Sequence, residues 1–127
     1  IKWVINKINW KKITIIDYGM GNIESLKNAI CKIGCDPNFY SENNLIKSNI
    51  IIIPGVGAFN HASELLSKKR INKKIIQFSN DKNNIVIGIC LGMQLLFEMG
   101  MENGQYQGLG LIKGNTDILS KDVEVNY

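Results

Sequence analysis

Short apolar runs punctuate the chain, and each gives way to turn-forming residues. Ile13-Thr14-Ile15-Ile16 ends at Asp17, Ile50-Ile51-Ile52-Ile53 at Pro54-Gly55, and Ile85 to Ile89 at Cys90. None alternates apolar with polar positions, which predicts strands buried on both faces. Asn38-Phe39-Tyr40, after a break at Asp36-Pro37, reads as a further short strand. Between these runs the period changes. Ile23, Leu26, Ile30 and Ile33 fall on one helical face, with Asn22 as N-cap and Gly34 as stop. Helical segments are also predicted over 62–69, 71–79 and 91–99, with polar connections over 41–48 and 80–84. Residues 100–108 read as a glycine-rich loop. Residues 110–112 and 116–119 read as strands of a different, antiparallel part.

Buried strands alternating with helices imply a doubly wound α/β layer around a mostly parallel sheet. Such sheets bind ligands beyond the carboxyl ends of their strands. That rule brings three glycine-bearing loops to one rim: residues 17–22, 54–59 and 88–92.

Candidate chemistry concentrates in the last of these. Gly88-Ile89-Cys90-Leu91-Gly92 has the form G-x-nucleophile-x-G, in which glycines permit a sharp strand-to-helix turn. A thiol placed there meets a helix N-terminus, which favours thiolate, and Leu91 N–H points at an oxyanion formed by attack. The bland alternative is a core cysteine between packing glycines; the strand before and helix after favour the elbow. The glycines of Pro54-Gly55-Val56-Gly57 free backbone N–H groups that can complete an oxyanion hole with Leu91, although on its own the segment reads more simply as a strand-exit turn. Gly19-Met20-Gly21 is not a dinucleotide fingerprint, because Glu24 stands where the third glycine belongs. His61, the single histidine, is placed on the rim to act as a base, although a surface histidine is the commoner case.

Composition adds exclusions. At 127 residues a single domain is expected. The net charge of +4 comes largely from Lys68-Lys69-Arg70 and Lys73-Lys74. That cluster lacks interleaved aromatics and reads as a solvated helix face rather than a nucleic-acid contact. Three cysteines without a CxxC, and one histidine, argue against a disulfide framework or a metal site. Cys31 and Cys35 read as small buried or half-buried hydrophobes. Free thiols point to a reducing, cytoplasmic setting, and no apolar run reaches the ~18 residues of a membrane span.

The elbow and its continuation, Gly88-Ile89-Cys90-Leu91-Gly92-Met93-Gln94, resemble the nucleophile motif of class I (triad) glutamine amidotransferases. Asp17-Tyr18-Gly19-Met20-Gly21-Asn22, Pro54-Gly55-Val56-Gly57-Ala58-Phe59 and Gly108-Leu109-Gly110-Leu111-Ile112-Lys113-Gly114 resemble the branch of that family that forms the glutaminase subunit of imidazole glycerol phosphate synthase. The resemblance covers residue 13 onward and leaves residues 1–12 unmatched. It implies a flavodoxin-like fold, with 13–127 a partial domain lacking its C-terminal part. It further implies that Cys90 attacks glutamine and that Val56, Gly57 and Leu91 stabilise the oxyanion. Gly55 and Gln94 would hold the substrate, with neither cofactor nor metal. Ammonia would pass to a (β/α)8-barrel cyclase subunit in a heterodimer, with the loop at Asn22 near that partner. The cyclase products would be imidazole glycerol phosphate and an aminoimidazole carboxamide ribotide, in histidine biosynthesis. The family's catalytic His and Glu belong to a later His-x-Glu segment. The chain is therefore expected to be a fragment, inactive by itself. Two other readings compete: an amidotransferase for pyridoxal phosphate, anthranilate or purine synthesis, and a non-catalytic flavodoxin-like binding module.

Overall fold

The computed structural model describes residues 11–41 and 46–119. Of the predicted extension over 1–12, residues 1–10 lie outside them, as do 42–45 of the polar connection and 120–127 at the end of the predicted 13–127 part. Four strands form one parallel sheet: β1 (Lys12–Ile16), β2 (Asp36–Tyr40), β3 (Ile50–Ile53) and β4 (Ile85–Gly88), in spatial order β2-β1-β3-β4. The doubly wound parallel layer is therefore present. Pro37 is tolerated inside β2 because β2 is an edge strand, where a missing N–H costs least.

Side-chain alternation divides the strands between two cores. Ile13, Ile15, Ile50 and Ile52 face α1 (Ile23–Lys32), which contributes the buried Ile30 and the half-buried Ile23 and Leu26. Ile16, Ile51 and Ile53 face α2 (Phe59–Lys68) and α3 (Ile71–Ser79), which contribute Phe59, Ala62, Leu66, Ile71 and Ile75. The four isoleucines of β3 are all buried because both faces of that strand are covered. Thr14, the buried polar residue of β1, is satisfied by Asn38 Oδ1 at 2.8 Å and Ser48 Oγ at 2.7 Å.

Three expectations change. Ile33 is not on the packed face: it is the C-cap of α1, where the chain turns into Gly34 at φ +80°, and it is 73% exposed. Cys31 is exposed rather than buried, since it sits one position, about 100°, round the helix from Ile30. Cys35 is half-buried against the α1 core, as expected.

The third correction concerns residues 91–99. The helix is only one turn, α4 (Leu91–Gln94), and the chain re-extends as β5 (Phe97–Gly100). β5 pairs antiparallel with β6 (Tyr106–Gln107) and parallel with β7 (Ile112–Thr116), forming a separate three-stranded sheet. Residues 112–116 are thus one strand where the sequence suggested two pieces. Leu109 N–H donates to Leu95 O at 2.8 Å and Ile112 N–H to Leu96 O at 2.9 Å, so these partners take the backbone that a longer helix would have used.

Candidate active site

The fold brings the three predicted loops together. β1 and β3 are neighbours from which the chain winds in opposite directions, so the carboxyl ends of these strands flank a crevice at the switch point. Residues 17–22 leave β1 there, residues 54–58 leave β3, and residues 89–90 leave β4.

Cys90 occupies the joint between β4 and α4 at φ 54° and ψ −119°, and its side is exposed. A positive φ is unfavourable for any residue with a Cβ, and it bends the chain sharply. Both flanking glycines have steric reasons. A Cβ on Gly88 would lie 2.6 Å from Gly92 O and from Met93 N and Cα. A Cβ on Gly92 would overlap the Ile53 carbonyl oxygen and lie 2.7 Å from its carbon. That same carbonyl accepts from Ile89 N–H at 3.0 Å, so the elbow is seated directly on the end of β3. The core-cysteine alternative fails, because the glycines clear backbone for a turn whose apex is at the surface. As the first residue of α4, Leu91 has no carbonyl one turn earlier in the helix to take its N–H.

The Pro54–Gly57 segment emerges from the core beside the elbow. Pro54 and Gly55 are buried, whereas Val56 is 58% exposed and Gly57 adopts φ +106°. A Cβ on Gly55 would meet Tyr18 Oη at 2.6 Å, Leu91 Cβ at 3.0 Å and Gly92 N at 3.1 Å, so only glycine lets the strand lie against the elbow. The β1 loop closes over the other side. Gly21 packs at Pro54 and Met20 Cε at Gly57, while Tyr18, fully buried, donates from its hydroxyl to Pro54 O at 2.8 Å. Burial pushes the Tyr18 phenol well above the usual tyrosine value, so it remains a protonated donor.

Cys90, Leu91, Gly55, Val56 and Gly57 therefore share one rim. Gln94, at the end of α4, is half-buried in an open cleft of about 220 Å³ with Glu102, Thr116, Asp117 and Ile118. Asn22 caps α1, its side chain accepting from Ser25 N–H at 3.1 Å, and is itself exposed. His61 is exposed on α2. Lys68, Arg70, Lys73 and Lys74 are likewise exposed, a solvated face as expected. Tyr18 was missed by sequence reasoning. It stands two residues past a buried strand, and its partner lies 36 positions away, beyond any local pattern.

Comparison with known proteins adds independent findings. Residues 14–125 match the family described as glutamine amidotransferase class-I. The chain is 44% identical over 116 residues to imidazole glycerol phosphate synthase subunit HisH of Oceanobacillus iheyensis, covering 91% of this chain and 57% of that protein. It is 41% identical over 114 residues to the protein of the same name from Bacillus subtilis, covering 88% and 53%. For the Aquifex aeolicus protein of that name the identity is 35% over 118 residues, covering 91% and 56%. The chain spans about half the length of the curated relatives it matches.

Proposed function

Because the chain belongs to the class-I glutamine amidotransferase family, we propose that the protein is the glutaminase subunit of an imidazole glycerol phosphate synthase. The single observation that carries this is the Cys90 elbow: a thiol at φ 54°, seated on β3 and packed beside a buried glycine of the neighbouring strand. The relatives' shared name supplies the reaction class and the biosynthetic setting.

In this reading the Cys90 thiolate attacks the side-chain carbonyl carbon of glutamine. Leu91 N–H, with N–H groups of Val56 and Gly57, would donate hydrogen bonds to the oxygen as charge develops on it. Collapse of the tetrahedral intermediate breaks the C–N bond, and the nitrogen leaves as ammonia after taking a proton. Water then cleaves the thioester to glutamate and restores the thiol. Gly55 and Gln94 hold the substrate. The ammonia moves to a cyclase subunit of (β/α)8-barrel form, and the loop carrying Asn22 lies towards that partner. Residues 13–127 then form one part of the amidotransferase domain, with residues 1–12 outside it.

The test uses the full-length protein with its cyclase subunit. An electrophilic glutamine analogue is expected to label Cys90 and to leave Cys31 and Cys35 unmodified. Equal, slow labelling of all three would instead indicate the non-catalytic binding module. Delivery of ammonia to a different acceptor would transfer the assignment to another amidotransferase.

A further inference from the structure

Tyr18 is the one fully buried side chain of the β1 loop that reaches across to the Pro54–Gly57 segment with a hydrogen bond. We propose that Tyr18 is a positioning residue for the oxyanion strand: by holding the Pro54 carbonyl it sets the direction in which the following N–H groups point. This inference rests on the glutaminase reading of Cys90 and adds a residue to it.

The argument begins with the peptide unit. The Pro54 carbonyl and the Gly55 N–H belong to one rigid plane, so fixing the oxygen fixes the amide. Proline has a restricted φ and no N–H, so its carbonyl is the only backbone handle by which it can be held. Gly55 follows, and glycine adds backbone freedom at the point where the strand leaves the core. That freedom is obligatory, because a Cβ there would collide with Tyr18 Oη, Leu91 Cβ and Gly92 N. The position that must be glycine for the strand to meet the elbow is therefore also the position least able to hold its own conformation. The Tyr18 hydroxyl, 2.8 Å from Pro54 O, restores the constraint from beneath.

The location of the clamp matters as much as its existence. It grips the buried end of the segment, whereas Val56 is 58% exposed and Gly57 sits at φ +106°. The segment thus has a fixed base and a looser tip, and the tip carries the N–H groups that the reaction needs. Loss of the donor leaves a buried carbonyl without its partner, and the strand must turn to find another. A shift of about 1 Å in such donors is enough to cost up to ~100-fold in rate.

The experiment compares Tyr18→Phe with the unsubstituted full-length protein, each with its cyclase subunit. We expect kcat for glutamine hydrolysis to fall about 10- to 100-fold, with KM for glutamine within twofold. Alkylation of Cys90 by iodoacetamide, which develops no oxyanion, should proceed at an unchanged rate. Replacement of Tyr18 by 4-aminophenylalanine keeps an N–H donor at the same place and should restore most of kcat. If Tyr18→Phe fails to fold, the 4-aminophenylalanine protein decides: folded with near-normal kcat supports the role, and folded with low kcat overturns it. Unchanged kcat in Tyr18→Phe, or a parallel change in KM and alkylation rate, would also overturn it. No glutamate release from the unsubstituted complex would overturn the glutaminase reading and this role together, so the two failures are told apart.

Discussion

Substituting Gly92 by alanine tests how the elbow is seated. The added Cβ would overlap Ile53 O and lie 2.7 Å from Ile53 C and 3.3 Å from Pro54 C. All three are backbone atoms, so no rotamer change relieves the clash. Carbon–oxygen contacts settle beyond about 3 Å, so α4 and the end of β3 must part by roughly 1 Å. The Ile53 carbonyl is also the acceptor for Ile89 N–H, and parting the elements stretches that bond from its 3.0 Å. Overpacking costs about 1–3 kcal/mol and a strained hydrogen bond about 1 more, so Gly92→Ala should destabilise by about 2–4 kcal/mol. For a domain of 150–250 residues, about 2–4 °C of Tm is lost per kcal/mol. Calorimetry on the full-length protein is therefore expected to show Tm lower by roughly 4–16 °C. Glutaminase kcat should fall about 100-fold, because Leu91 moves with the elbow away from Gly55. The control is Gly34→Ala, at φ +80° with no atom within 4 Å of the added Cβ. It bears only left-handed strain of about 1–2 kcal/mol and should leave kcat alone. Equal Tm and kcat for Gly92→Ala and the unsubstituted protein would refute this account of the elbow.

Asn22→Ala removes the side chain that caps α1 and should cost about 1 kcal/mol by urea unfolding; a loss of cyclase affinity in titration calorimetry would add the interface role proposed for that loop. Tyr18 and Tyr40 both have phenols raised by burial. Their unfolded forms ionise first, so folding stability is intact below pH 10 and falls above it, by up to ~1.4 kcal/mol per pH unit for the deeply buried Tyr18. Denaturant melts at pH 9, 10 and 11 should show this slope, and Tyr18→Phe should flatten it. The 127 residues assayed with the cyclase should show no steady-state glutamine turnover, and His61→Ala in the full-length protein should keep normal kcat, because His61 is exposed on α2; turnover by these 127 residues, lost on His61→Ala, would make that histidine the base.

What the sequence made legible was whatever local pattern decides. β1, β3 and β4 are β-branched runs in which, after Lys12, Thr14 is the one polar member, although β4 is only partly covered, with Ile87 39% exposed, and α1 carries its own cap and stop. The rim followed from topology, since parallel strands present their exits on one side. The failures occur where distant partners choose. Leu95-Leu96-Phe97-Glu98-Met99 continues an apolar helix on paper, yet β7 supplies a ladder for it, and the polar Lys113-Gly114-Asn115 splits on paper what is one strand in the fold. The position of Cys31 depends on one step of helical rotation past Ile30, within the error of any boundary read from sequence. At the site, the glycines around Cys90 were readable as a turn, but their contacts with Gly92 O and Ile53 O required coordinates. The Tyr18–Pro54 hydrogen bond spans 36 positions and leaves no trace in any local window.

The backbone angle of Cys90 has a consequence for how such a chain drifts under selection. A residue held at φ 54° outside the relaxed regions costs the fold roughly 1–3 kcal/mol. Glycine at that position would release much of this while leaving the surrounding turn intact. Position 90 is thus a place where the fitness of the fold and the fitness of the chemistry pull in opposite directions. A lineage that no longer needs the thiol gains stability by losing it, so this cysteine persists only while the work it does is being selected.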